Sequence, residues 1–148
     1  MSPLKTRIVE DTKAALKAGD KTRLSVLRML SAAVRQREID GRCELDDVAL
    51  LAVVDKQIKQ RHDAAAQYRS GGRPELAAAE EAEIVVLSAF LPQPLQPAAL
   101  EALIERVIAE VGADSPRDIG KVMAALKPQV AGRADLAQVS ARIRARLT

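Results

Sequence analysis

Glycine and proline divide this 148-residue chain into stretches whose apolar residues recur at helical spacing. Most of the seven glycines and seven prolines fall between these stretches. The chain has one tyrosine, one phenylalanine and no tryptophan, so its core must be built from Ala, Leu, Val and Ile. Together these features predict an all-α fold.

Seven helices are predicted, in two groups. Four form a helical N-terminal domain, residues 1–93, and three form a small C-terminal domain, residues 94–148. The proline-rich link Leu91-Pro92-Gln93-Pro94 marks the boundary. The predicted helices cover about residues 3–18, 20–40, 46–70, 74–90, 97–111, 116–126 and 135–147.

Capping residues mark several helix starts. The first three helices are predicted to begin at Ser2, at Asp20 and at Asp46 or Asp47. Ser115 and Asp118 resemble a capping box, with Asp in place of the usual Glu.

The Gly71-Gly72 pair predicts a tight turn that makes the third and fourth helices a long antiparallel hairpin. The carboxylates expected to face cations across it are those of Glu80, Glu81 and Glu83. The expected cations are Lys59, Arg61 and Arg69. Such exposed pairs contribute only ~0–1 kcal/mol each, so they would mainly orient the hairpin.

Residues that could carry catalysis or bind metals are scarce. His62 is the only histidine and Cys43 the only cysteine, whereas a structural zinc site needs about four nitrogen or sulfur ligands. A nucleophilic triad would have to use His62, which lies in mid-helix with no glycine-rich strand turn nearby. Gly120-Lys121 does not complete a phosphate-binding loop, because Val122 stands where Ser or Thr is required. We therefore predict no catalytic residue, no metal site and no cofactor.

The net charge of +3 is unevenly distributed. Residues 1–40 carry nine basic and five acidic side chains, and residues 112–148 carry seven basic and three acidic ones. Between them, residues 73–111 carry only two basic and seven acidic side chains. Two separate basic surfaces are therefore expected. A single cysteine, the lack of a signal peptide and the absence of an apolar run near ~20 residues predict a cytoplasmic protein that does not span a membrane.

Candidate RNA-binding cations occur at both ends of the chain. Lys21, Arg28 and Arg35 recur every seven residues and drift only ~20° per step, so they form one stripe on the second helix. Further charge near this stripe comes from Arg7, Lys13, Lys17 and Arg23. The C-terminal candidates are Arg117, Lys121, Lys127, Arg133 and Arg142, with Arg146 one turn beyond the last. Backbone amides at Gly132-Arg133 could also meet a phosphate.

The scarcity of aromatic residues narrows the expected ligand. Single-stranded RNA is usually held by stacking its bases on aromatic rings, and this chain offers only Tyr68 and Phe90. A folded RNA read through its shape and phosphates is therefore favoured, and transfer RNA is one such ligand.

A series of motifs, in order along nearly the full length, resembles the YqeY family. They are Asp20-Lys21-Thr22-Arg23-Leu24-Ser25-Val26-Leu27-Arg28-Met29-Leu30, Gly72-Arg73-Pro74-Glu75-Leu76, Glu80-Glu81-Ala82-Glu83-Ile84, Phe90-Leu91-Pro92, Gly120-Lys121-Val122-Met123 and Gly132-Arg133-Ala134-Asp135. That family is similar to the tail of GatB, the tRNA-handling subunit of the Asp/Glu-tRNA amidotransferase. The resemblance implies a helical N-terminal domain, a three-helix C-terminal domain and binding of the tRNA elbow. The chain departs from the family pattern at Gln129 and Ala131, where basic residues are frequent.

Three hypotheses remain open at this point. The leading one is a non-catalytic tRNA-binding accessory protein that assists an amidotransferase or an aminoacyl-tRNA synthetase. The second is a helical protein–protein adaptor with no direct RNA role, docking through the acidic hairpin and its polar tip at residues 69–73. The third is carbon–nitrogen ligase activity with glutamine as the amido donor, either carried out directly or assisted as an accessory.

Overall fold

The computed structural model describes residues 2–148, and most of these residues are helical. Within this range there are seven α-helices, one 3₁₀ turn and no β-strand, so the all-α prediction is confirmed. In chain order the elements are α1 (Pro3–Ala18), α2 (Lys21–Gly41), α3 (Asp47–Ser70), α4 (Pro74–Ser88), α5 (Pro97–Val111), the 3₁₀ turn (Pro116–Asp118), α6 (Ile119–Val130) and α7 (Leu136–Leu147).

The chain divides into two compact units, each with its own core. The first unit ends at Leu91 and contains α1 to α4, and the second, Pro92–Thr148, contains α5 to α7. The division lies two residues before the boundary predicted after residue 93. Fully buried residues of the first core are Val26, Leu27, Leu30, Leu50, Val54 and Leu87. Those of the second are Ile104, Val107, Val122, Leu126, Val130, Val139 and Ile143.

The predicted caps of the first three helices are confirmed. The side-chain oxygens of Ser2, Asp20 and Asp46 each accept the backbone N–H three residues further on, at 3.0, 3.1 and 2.8 Å. A cap of this kind stabilises a helix by about 1 kcal/mol. Asp47, one residue inside α3, accepts the N–H of Leu4 at 3.3 Å and so ties the start of α1 to α3.

The α3–α4 hairpin turns at the predicted glycine pair. Gly72 has a φ of 73°, in the left-handed region that glycine enters without steric cost. Two predicted cross-hairpin pairs form, Arg61 with Glu83 and Arg69 with Glu81. These pairs bridge α3 to α4 at two levels of the hairpin.

Arg61 departs from the prediction that these pairs are exposed, because only 5% of the residue is accessible. Its Nε donates to Glu83 Oε2 at 3.0 Å, and its Nη1 donates to Gln57 Oε1 at 2.7 Å. Its Nη2 lies 3.9 Å from the sulfur of Met29 on α2. A charge can be buried here because it is paired and hydrogen-bonded, and Arg61 thereby joins three helices.

Helix α6 ends later than predicted. The predicted end is residue 126, yet the helix continues through Pro128 to Val130. Proline removes the N–H that would reach the carbonyl four residues earlier. The carbonyl that loses this donor is that of Ala124, whereas the side-chain Nε2 of Gln129 donates to the next carbonyl, that of Ala125, at 3.2 Å. Helix α4 ends earlier than predicted, at Ser88 in place of residue 90.

Candidate nucleic-acid interface

The stripe on α2 is an open cationic surface. Lys21, Arg28 and Arg35 are all exposed, and none has an ion pair within residues 2–148. Their seven-residue spacing places them along one side of α2. The exposed lysines of α1, Lys13 and Lys17, are also without an ion pair in that range.

Arg7 and Arg23, which were expected to add charge to this surface, are held by other groups. Arg7 Nη2 donates to the carbonyl of Ala89 at 2.8 Å, and its guanidinium carbon lies 4.8 Å from the centre of the Phe90 ring. Both arginines approach the carboxylate of Asp11, at 3.7 Å from Arg7 and 3.6 Å from Arg23. Their charge is therefore partly neutralised, and Arg7 acts mainly as a link between α1 and the end of the first unit.

Three of the C-terminal candidates are open to solvent. Arg117 and Lys127 are exposed and have no ion pair in the described chain. The side chain of Lys121 is 71% exposed, and its Nζ lies 4.0 Å from Asp118 Oδ1. These three cations precede or belong to α6 and remain available for a ligand.

Asp118 lowers the positive charge next to Lys121. Its carboxylate accepts the backbone N–H of Asp114 at 3.1 Å, and this hydrogen bond holds the pKa of Asp118 below its usual value. Ser115 makes no side-chain cap bond, so the hydroxyl half of the predicted capping box is wrong. The Asp118 carboxylate accepts the N–H of Asp114 in place of that of Ser115, so the predicted capping box does not form.

Arg142 lies in an ion-pair clamp between α7 and α5, which limits its availability to a ligand. Its guanidinium pairs with Glu101, which also lies 2.6 Å from Arg146. Arg146 contacts Glu105 at 2.5 Å as well. Hydrogen bonds hold the pKa of Glu101 below its usual value, and the one from Arg142 has a larger effect than the one from Arg146. This clamp, formed by Glu101, Glu105, Arg142 and Arg146, is an internal structure of the second unit.

Arg133 sits in the loop between α6 and α7 and is half-buried. The loop turns at Gly132, whose φ of 69° suits glycine. Arg133 Nε donates to the carbonyl of Gln93 at 2.9 Å, and the Arg133 carbonyl accepts the N–H of Leu95 at 2.9 Å. The backbone N–H of Arg133 donates to the Val130 carbonyl at 2.8 Å, so the expectation that this amide would be offered to a phosphate is wrong.

Metal-ligating side chains are dispersed over the described chain. Cys43 lies in the connection between α2 and α3, His62 lies on α3, and both are exposed. No group of three or more His, Cys, Asp or Glu residues within residues 2–148 is arranged to hold a metal ion. None of the helices in this range is both long and apolar enough to cross a membrane.

Tertiary packing also brings together two cations that the sequence patterns did not single out. Arg37 on α2 and Lys56 on α3 line the same groove. They lie 19 positions apart in the sequence, and no helical period links them. Only the packing of α2 on α3 shows that they are neighbours.

These features define a small all-α protein of two helical units, with cationic side chains displayed on α2 and around α6. The YqeY-like family model matches residues 5–147, and the chain belongs to that family. The resemblance seen in its motifs is thus confirmed.

The chain is also similar to fungal proteins named altered inheritance of mitochondria protein 41, mitochondrial. It is 32% identical to the protein of Lachancea thermotolerans over 103 residues, which are 69% of this chain and 54% of that protein. It is 26% identical to the protein of Pyrenophora tritici-repentis over 141 residues, 93% of this chain and 77% of that protein. The chain thus spans about half the length of several curated relatives that it matches, with 45% coverage for the protein of Vanderwaltozyma polyspora. Neither the family description nor these names state a reaction or a ligand.

Proposed function

We propose that this protein is a non-catalytic tRNA-binding accessory protein that assists an amidotransferase or an aminoacyl-tRNA synthetase. The observation that carries the proposal is the open stripe of Lys21, Arg28 and Arg35 on α2. Three cations on one side of a helix, without carboxylates to neutralise them, suit a repeating array of phosphates.

The chemistry of the surface favours a folded RNA over a single strand. The chain has two aromatic side chains, and Phe90 is buried beneath Arg7. Base stacking is therefore nearly excluded as a source of affinity, and phosphate contacts must supply most of it. The C-terminal cations Arg117, Lys121 and Lys127 provide a second open group, on the unit that resembles the GatB tail.

Binding of a fluorescently labelled tRNA, measured by anisotropy at several salt concentrations, tests this proposal. The R28Q/R35Q variant removes two adjacent charges of the stripe. We expect it to weaken tRNA binding on the order of tenfold at low salt. The slope of log binding constant against log salt concentration should fall in magnitude by roughly 1–2, because each phosphate contact contributes about 0.7–0.9 to that slope.

A charge-matched control is available at the hairpin tip. R69Q/R73Q also removes two exposed positive charges, both already paired with carboxylates, Glu81 and Glu75. It should leave tRNA affinity within about twofold of wild type, since paired surface charges contribute little. Wild-type protein without measurable tRNA affinity at low salt, or equal losses in both variants, would count against the proposal.

The proposed role as an accessory places any amide-transfer chemistry on the partner enzyme. The partner is proposed from the resemblance to the GatB tail, and the names of the fungal relatives place those relatives in mitochondria. The cytoplasmic assignment remains a prediction for this chain. Purified protein incubated with misacylated tRNA, glutamine and ATP should give no product alone, and should raise the rate of an added amidotransferase.

A protein–protein adaptor is the second candidate, and Val85 favours it. This side chain of α4 is 71% exposed, the largest exposure among the exposed large hydrophobic residues of the described chain. It lies one turn after Glu81, so an apolar and an acidic group share one side of the hairpin. Association with a purified amidotransferase or synthetase in RNA-free buffer would support the adaptor if V85D abolishes it and R28Q/R35Q does not. Loss of association on removal of RNA would instead favour tRNA binding.

A further inference from the structure

A small polar groove lies between α2 and α3 in the first unit. Its walls are formed by Ala33, Gln36, Arg37, Val53, Lys56, Gln57 and Gln60, and it encloses about 210 Å³. None of these seven residues is acidic, and none belongs to the cationic surfaces considered so far. Arg37 lies nine residues after Arg28, about two and a half turns, so it projects from the side of α2 opposite the stripe.

The two cations of the groove lack counter-ions. Arg37 and Lys56 are exposed and have no ion pair within residues 2–148. The carboxylates of Glu38 and Asp55 pair with Lys5 at 2.8 Å and with Lys59 at 3.2 Å. The Asp40 carboxylate keeps its charge and accepts a hydrogen bond from the amide of Gln36 at 2.9 Å. Two like charges thus face one groove with no negative group supplied by the walls.

The carboxamides add hydrogen-bond donors. The Oε1 of Gln57 accepts from Arg61 Nη1 at 2.7 Å. That bond uses the carbonyl side of the Gln57 amide, so its NH₂ group remains as a donor. Gln60 has no hydrogen bond from its side chain in the described chain, so it can turn its own NH₂ toward the groove. Guanidinium, ammonium and amide groups are the donors that bind oxyanions in proteins, and this groove is lined by all three.

The volume limits the size of the ligand group. Sites for whole organic ligands usually enclose about 300–1,000 Å³. A groove of about 210 Å³ lies below that range and suits a single anionic group, with the remainder of any larger ligand outside. Arg37 offers a planar pair of N–H donors and Lys56 a point charge, the combination that phosphate-binding sites use.

We propose that this groove, lined by Arg37, Lys56, Gln57 and Gln60, binds a phosphate oxyanion, either as free phosphate or as one phosphate group of an RNA backbone. The site is separate from the α2 stripe and does not require that stripe to bind RNA. Arg37 and Gln36 line the groove from α2, Lys56, Gln57 and Gln60 line it from α3, and Ala33 and Val53 contribute its apolar surface.

NMR on the intact ¹⁵N-labelled 148-residue chain tests the phosphate site directly. Sodium phosphate is titrated against sodium chloride at equal ionic strength, and amide and side-chain signals of the groove residues are followed. We expect saturable shifts at Arg37, Lys56 and Gln57 with phosphate only. R37Q/K56Q should raise the apparent Kd on the order of tenfold or more, the loss typical of charged hydrogen bonds. R28Q/R35Q removes the same charge from the opposite side of α2 and should leave the titration unchanged.

The outcomes separate this proposal from the tRNA proposal. Shifts that chloride reproduces, or that persist unchanged in R37Q/K56Q, would overturn the phosphate site. If the phosphate shifts are lost in R37Q/K56Q and tRNA affinity also falls, the groove holds a backbone phosphate. If tRNA affinity is unchanged, or wild type binds no tRNA, the same shifts still establish a site for free phosphate. Both variants alter exposed residues, and an unchanged thermal melt checks that they fold.

Discussion

The two ends of the chain carry the same net charge but differ in how many of their basic side chains are held in ion pairs. Residues 1–40 and residues 112–148 each have an excess of four basic side chains. In the first unit the α2 stripe is free of carboxylates, whereas in the second unit Arg142 and Arg146 are paired with Glu101 and Glu105. Equal charge in the sequence therefore gives unequal charge at the surface.

The difference arises from where the neighbouring carboxylates lie. Helix α5 comes from the acidic segment of residues 73–111 and packs in the same core as α7, so its glutamates meet the arginines of α7. The acidic helix α4 also packs against α2, but none of its carboxylates forms an ion pair with Lys21, Arg28 or Arg35. A basic residue is available to a polyanion only where the fold does not already supply a carboxylate.

The largest expected loss of stability comes from creating a cavity in one core at a time. Leu30 and Leu126 are both fully buried, one in each core. Leu→Ala at such sites costs about 2–5 kcal/mol. Hydrogen exchange should show L30A destabilising α1–α4 and L126A destabilising α5–α7, each with little effect on the other unit. Equal loss of protection in both units from either variant would show that they unfold as one body.

Removal of one arginine from each unit should give a smaller and unequal effect. R61A takes away a buried cation that bonds Glu83 and Gln57, and we expect a loss of about 2–3 kcal/mol in urea unfolding. R142A breaks a more exposed ion pair, in which the side chain of Glu101 is 32% accessible. We therefore expect R142A to lower the free energy of unfolding clearly less than R61A does. R61M, which keeps the aliphatic packing, should recover part of the stability. A larger loss for R142A than for R61A would reverse the comparison.

Glu101→Gln should release Arg142, leave Arg146 paired with Glu105, and change the dependence of stability on pH. The pKa of Glu101 is lowered in the folded protein, so its contribution to stability is present above the usual glutamate value of 4.5 and is lost as the pH falls through the lowered folded value. The difference in Tm between wild type and E101Q should therefore be largest near neutral pH and shrink below about pH 4.5.

The same variant tests whether pairing keeps the C-terminal cations from RNA. E101Q frees Arg142 from its carboxylate and should tighten tRNA binding by about two- to fivefold at low salt. E110Q is the matched control, because it adds the same charge on the same helix and frees only Arg106, at 3.6 Å. Equal tightening in the two variants would mean that net charge alone, and not the clamp, controls affinity.

The smallest expected effect concerns Gly120. A Cβ placed on this helical residue would meet no atom within 4 Å. G120A should therefore stabilise the second unit by about 0.4–1 kcal/mol, because alanine loses less chain entropy than glycine. A rise in Tm accompanied by weaker tRNA binding would indicate that Gly120 serves close approach of a ligand next to Lys121. A fall in Tm would contradict the open space above this residue.

Local features were predictable because they depend on neighbouring residues. The caps at Ser2, Asp20 and Asp46 and the turn at Gly72 follow from side-chain and backbone chemistry within a few positions. The predicted end of α6 lies four residues too early, and the helix continues through Pro128, whose local preference against a helix interior is overridden in the folded chain. The seven-residue spacing predicted that Lys21, Arg28 and Arg35 lie along one side of α2. The spacing could not show that these cations have no ion pair within the described residues.

By itself, the sequence determined an all-α fold, its main breaks and the excess of positive charge at both ends, since helical periodicity and turn residues act over short distances. Only the tertiary structure decided which charges remain open. Arg142 and Glu101 are 41 positions apart, and their pairing depends on how α5 and α7 pack. Arg37 and Lys56 became neighbours in the same way. Electrostatic partners are set by distance in space, which a short-range pattern does not encode.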